Sequence, residues 1–239
     1  MTSFAHYIDS IMRKIHPKKE GDKGLSIAAR SAHDKPIHEA KYVVFDTELT
    51  GLHAKKDSIV SIGAVKMDGN RVSLGDFFYR IIEPKTALTG KSVVIHGITP
   101  TEASESPEID ILLPEFMDFC SDSIMVGHFV SIDLGFLNKE IKRIYGTSLQ
   151  NPAVDTLLIY RWIRKIEEKT CAYHAGTAEQ ADLFTLADKY EIPFEGAHNA
   201  LNDAFVTAQL FQRFLSVLPG FGVHTVGELL KIGGPRISG

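Results

Sequence analysis

The chain has 239 residues, a net charge of −4, and 44% hydrophobic against 23% charged residues. That balance describes an ordinary globular protein, one large domain or a domain with appendages, and argues against a protein that coats nucleic acid by bulk charge. Two cysteines, Cys120 and Cys171, exclude a disulfide framework and fit a reducing cytoplasm. No apolar run approaches the roughly 20 residues that span a bilayer, so no membrane association is expected. The N-terminus has acid and histidine where a secretory signal needs an apolar core, so no export signal is expected either.

Residues 1–40 read as an arm. Phe4, Tyr7, Ile8, Ile11, Met12 and Ile15 fall at helical spacing and form one apolar face. Pro17 and the charged, glycine-containing run to Gly24 end that helix and read as a linker. The helix either packs back on its own domain or docks a partner or second copy.

From Lys41 the pattern turns to strands. Tyr42 to Phe45 are β-branched or aromatic and predict a buried strand. Asp57 to Met67 alternates and predicts a second, Asp68-Gly69-Asn70 a hairpin turn, and Val72 to Ile82 a third, antiparallel strand. Residues 91–100 read as a short apolar segment and turn. Pro107–Cys120, Ser131–Tyr145, Asp155–Glu168, Ala181–Tyr190 and Asn199–Val217 carry helical stripes, and Ile124–Gly127 reads as a short buried strand parallel to the first. Three strands followed by helices alternating with short strands predict an α/β fold with a mixed sheet flanked by helices. Residues 41–217 would form that domain, and 218–239 a tail with a short helix over Val226–Ile232.

The first strand ends in Asp46-Thr47-Glu48. Strand side chains repeat every second residue, so the two acids share a side. Two adjacent carboxylates repel, and a divalent cation between them would turn that cost into binding. Asp133, in Gly127-His128-Phe129 through Asp133, begins a helix, where the macrodipole alone favours an acid. Asn199 is a plausible N-cap that leaves His198 in a loop and Asp203 early in its helix. Asp155 also precedes a helix, and there capping is the preferred role. The basic run Arg161-Trp162-Ile163-Arg164-Lys165 reads as a solvated helix face with one packed tryptophan rather than a phosphate-binding patch.

In this order the motifs resemble the DEDDh 3′–5′ exonucleases, the family of the proofreading subunit of bacterial replicative DNA polymerase. Asp46-Thr-Glu48-Leu-Thr-Gly-Leu is similar to the family's D-x-E-T-T-G-L, Gly127-His128 with Asp133 and Phe136-Leu137 to its second motif, and His198 with Asp203, spaced H-x4-D, to its third. The resemblance covers residues 41–217. Leu49 stands where the family has threonine, and Phe129 where it has asparagine.

The resemblance implies a ribonuclease H-like fold and hydrolysis of the 3′-terminal phosphodiester with two Mg²⁺ or Mn²⁺ ions, which flank such a reaction about 3.5–4 Å apart. Hard oxygen ligands suit those ions, and neither cysteine has zinc-site spacing. Asp46, Glu48, Asp133 and Asp203 would be the metal ligands, with Asp46 shared by both ions. His198 would be the general base, because its unperturbed pKa lies near working pH. Thr47, Leu49, His96 and Phe129 would lie on the substrate side. Single-stranded or frayed 3′ ends would be the substrate and a DNA polymerase subunit a partner. The shared catalytic residues leave proofreading, repair and RNA end-trimming open. A binding module on an exonuclease-like scaffold is the competing class, but such a module should have lost an acid or the histidine, and none is missing.

Overall fold

The computed structural model describes residues 33–170, 181–196 and 198–235. The predicted N-terminal helix and Cys171 lie outside the described residues.

Three strands open the fold: β1 (Lys41–Leu49), β2 (Ile59–Asp68) and β3 (Arg71–Ile81), antiparallel in sequence. Gly69 supplies the positive φ, +58°, that a two-residue hairpin needs. Helices α1 (Gly90–His96), α2 (Pro100–Ser104) and α3 (Ile109–Phe119) follow. Two short strands, β4 (Ile124–Gly127) and β5 (Ala153–Asp155), then flank α4 (Ser131–Tyr145) and run parallel to β1. The rest is α5 (Thr156–Thr170), α6 (Leu183–Lys189), α7 (Ala200–Val217), a 3₁₀ turn (Leu218–Phe221) and α8 (Val226–Gly233). The sheet order β3-β2-β1-β4-β5 is the mixed sheet that the sequence predicts.

Alternation along β1 divides the core. Tyr42 and Val44 pack into one apolar cluster with Phe211 and Phe214 of α7 and residues of α5, α6 and α8. Val43 and Phe45 pack into the other with Leu113 and Phe116 of α3 and Leu137 and Ile141 of α4. Helices therefore cover both faces, and α7 lies across β1 and β2.

Two local readings differ from the structure. The apolar segment 91–96 is helical, and Gly97–Thr99 form the turn that follows it. Thr89 caps α1 through a reciprocal capping box with Ser92, which outweighs the β-branched Val93-Val94-Ile95 run, and Thr99 caps α2 with Pro100 in its first turn. The helix read as starting at Asp155 starts at Thr156, because Ala153–Asp155 pair with Met125–Gly127 as β5. The segment after residue 217 packs inward. Leu218, Val223, Val226 and Leu229 join the cluster around Tyr42, and the backbone of His33–Ile37 hydrogen-bonds that of His224–Gly227. Trp162 packs edge-on against Phe221, and Arg164 pairs with Glu167, so the basic run is a helix face of the kind expected.

Candidate active site

The site forms where β1 outruns its parallel neighbour. β4 pairs with β1 only at Tyr42–Val44, so from Phe45 onward that edge of β1 has no strand beside it. The first turn of α4 occupies the gap. Asp133 Oδ1 accepts from the Thr47 N–H at 3.1 Å and from Thr47 Oγ1 at 2.5 Å. An otherwise orphaned edge amide is thereby satisfied, and Asp133 is pinned against β1.

Asp46 and Glu48 project to the opposite face of the sheet, toward α7. Asp203, in the first turn of α7, meets them there, and one carboxylate oxygen from each of the three lies within 4.8 Å of the others. Three of the four predicted ligands therefore converge in one cluster. Asp133 lies beside it, held by Thr47, and its charge is felt at both Asp46 and Glu48.

Burial and mutual repulsion make these acids reluctant to ionise. Burial first, then the charges of Asp133, Glu48 and Asp203, hold Asp46 well above the usual carboxylate range. Glu48 is pushed up to about 7 by burial and by Asp203 and Asp133. Burial raises Asp133 to about 7 against the Thr47 hydrogen bonds, and Asp203 to about 6 against the neighbouring His198. Among the described residues, no lysine or arginine forms an ion pair with any of the four. Asp203 Oδ1 is buried without a hydrogen-bond partner. A hard divalent cation fits this set of all-oxygen donors, because it would satisfy the orphaned oxygen and offset the repulsion.

His198 stands at the lip in the left-handed region, φ +66°, and is exposed. Its N–H donates to Asp203 Oδ2 at 3.3 Å, and its ring lies edge-on to Phe184 at 5.6 Å. The backbone thus ties the histidine loop to a metal-ligand candidate, while the ring remains accessible. Phe129 is also left-handed, φ +57°, with its N–H held by Asp155 Oδ1 at 3.2 Å, and the residue is 42% exposed. Asp155 caps α5 through Leu157 N at 2.9 Å, the role its position predicts. His128 is architectural: it bridges Thr156 Oγ1 and the Ala181 carbonyl, each at 2.8 Å.

The other substrate-side residues are less open. The Thr47 side chain is committed to Asp133. Leu49 packs against the cluster under α3 and α4. His96 is buried; its Nδ1 accepts from Ile98 N at 3.1 Å, its Nε2 has no partner, and burial lowers its pKa. Two residues passed over in the sequence also border the site, Gly63 on β2 and Tyr79 on β3. An isolated glycine inside an alternating strand is the available signal for Gly63, since it marks close backbone approach.

The comparisons agree with the motif resemblance. The family model described as Exonuclease (RNase_T) matches residues 43–211. The PolC-type DNA polymerase III of Thermotoga maritima is 34% identical over 200 residues, covering 83% of this chain and 14% of that protein. A DNA polymerase III subunit epsilon-like protein of Rhodobacter capsulatus is 31% identical over 198 residues, covering 82% of this chain and 27% of that protein. The chain therefore spans only a small part of the relatives it matches. In fold it is similar to E. coli exonuclease I, whose crystal structure holds a dT13 oligonucleotide, with a TM-score of 0.64 at 18% identity over 77% of this chain and 42% of that one.

Proposed function

The chain belongs to the exonuclease family, and on that premise we propose that it is a metal-dependent 3′–5′ exonuclease that releases nucleoside 5′-monophosphates from single-stranded or frayed 3′ ends. The observation that carries this reading is the meeting of Asp46, Glu48 and Asp203, the last with a buried, unpartnered Oδ1. The kinship with DNA polymerase III proteins favours DNA as the substrate, a polymerase as the partner and the cytoplasm as the place of action.

Asp46, Glu48, Asp133 and Asp203 would hold two Mg²⁺ or Mn²⁺ ions, whose charge offsets the negative charge that develops on the attacking and leaving oxygens. The protein's own residues do the remaining work. Thr47 fixes the Asp133 carboxylate. The His198 ring, exposed at the lip, takes the proton of the attacking water, while its backbone N–H keeps the loop registered on Asp203. The exposed Phe129 ring offers a stacking surface to a base of the strand end.

Incubating the protein with 5′-labelled single-stranded and duplex DNA and RNA, with Mg²⁺, Mn²⁺ or EDTA, tests this. We expect metal-dependent shortening from the 3′ end in single-nucleotide steps, faster on DNA. Full activity in excess EDTA, or cuts within a circular single strand, would refute it.

A further inference from the structure

We infer that Gly63 and Tyr79 are positioning residues for this reaction, acting on the histidine loop and the first turn of α7; the inference rests on the roles given above to His198 and Asp203. Asp46 pairs with Gly63 across β1 and β2, and Gly63 pairs with Tyr79 across β2 and β3. Residues directly opposite in antiparallel strands share a face, so the three form one row beneath α7, with the metal-ligand candidate Asp46 at one end.

Gly63 sets the height of the helix. A Cβ there would stand 2.2 Å from both the Ala200 carbonyl carbon and the Leu201 nitrogen, which are backbone atoms that cannot swing aside. The first turn of α7 therefore rests directly on the β2 backbone, and only glycine allows that approach.

Tyr79 sets the loop that enters the helix. Its hydroxyl accepts from Asn199 Nδ2 in a long contact of 3.4 Å. The same Asn199 amide caps α7 with its oxygen, accepting from Leu201 N at 3.1 Å and Asn202 N at 3.2 Å. Asn199 is thus held at both ends of its amide, by the helix and by the sheet. The residue before it is His198, in a strained left-handed conformation and tied to Asp203. Whatever holds Asn199 and Ala200 therefore holds the general base and the fourth acid against Asp46 and Glu48. Burial keeps the phenol protonated, and it lies close enough to Glu48 to feel that charge.

The test is a double-mutant cycle between Tyr79→Phe and His198→Ala, read as single-turnover kinetics on 5′-labelled oligothymidylate with Mn²⁺. Tyr79→Phe should lower turnover at least about threefold, though by less than the ~10²-fold cost of a 1 Å misplacement, with KM and melting temperature unchanged. In the His198→Ala background it should cost less than in the parent, because only the route through Asp203 remains. Gly63→Ala should abolish the Mn²⁺-induced rise in melting temperature and lower turnover by roughly 10²-fold; should it fail to fold, the Tyr79 cycle decides alone. Full turnover of Tyr79→Phe, an equal loss in both backgrounds, or a rise in KM alone would overturn the inference. A His198→Ala enzyme with normal turnover would instead remove the histidine assignment, and with it the route through His198 by which Tyr79 acts.

Discussion

At the scale of single residues, the four acids and His198 make separable predictions. Glu48 and Asp133 have folded-state pKa values of about 7, against ordinary values of 4.5 and 3.8. The metal-free folded chain therefore binds more protons than the unfolded chain between about pH 4 and 7. Its extra stability is fully present at the acid end and is lost as pH rises through about 7. Calorimetry without metal should show a melting temperature that falls from about pH 5 to 8, and saturating Mg²⁺ or Mn²⁺ should reverse the fall by favouring the charged acids. Asp46→Asn should raise metal-free stability and abolish the metal effect; a metal-free melting temperature that climbs with pH would contradict the electrostatics. His198→Ala should leave the Mn²⁺ effect intact and cost about 10²–10⁴ in rate, with loss of the rise in activity that accompanies histidine deprotonation. The acids and the histidine were legible in the sequence because spacing places them, two residues apart on a strand or in the first turn of a helix. The commitments of Thr47 and His96 were not, because a hydroxyl or imidazole reads the same whether it faces substrate or a buried partner. Asp133 lies 86 residues from Thr47 in the chain, and no local pattern announces their contact.

At the scale of elements, the site depends on strands of unequal length. β1 runs on past β4, and the first turn of α4 completes its edge through Thr47 and Asp133. Thr47→Val keeps the shape and removes one donor to a buried carboxylate, a loss of about 1–3 kcal/mol. The melting temperature should drop by several degrees, and Mn²⁺ should restore part of that drop while turnover stays low because Asp133 is no longer fixed. An unchanged rate in Thr47→Val would show that the backbone N–H alone suffices. Long periodic helices such as α4 and α7 were readable to within a residue, since their stripes and caps agree. The short elements were not: α1 carries a β-branched run whose helical state depends on Thr89 and Ser92, and the three residues of β5 acquire strand character only from Met125–Gly127 alongside.

At the scale of the whole molecule, the core does not stop where the motif-bearing segment ends. Leu218, Val223, Val226 and Leu229 are buried with the helices behind the site. Burying such side chains stabilises by about 1.5–3 kcal/mol each, which together rivals a domain's net stability of about 5–15 kcal/mol. Truncation after Val217 should therefore abolish cooperative unfolding; a truncated chain with the parent's melting temperature would refute that. The sequence reads residues 1–40 as an arm, but Ile37 and Ala40 are buried with the core. If the part before His33 is a docking element, deleting residues 1–32 should leave activity on short oligonucleotides intact, and a deletion that unfolds the domain would refute that. The sequence predicts a tail after residue 217 because one short helix among glycines looks peripheral, and only the packing on β5 and α5 makes it core. The central claim, that β1 and α7 bring their acids together to hold divalent cations at a strand end, is tested most directly by anomalous diffraction. Crystals grown with Mn²⁺ and a nucleoside 5′-monophosphate should show ions held by Asp46, Glu48 and Asp203, with Asp46 shared between two of them. A map with no ion in reach of Asp46, or with manganese only elsewhere on the surface, would contradict the account.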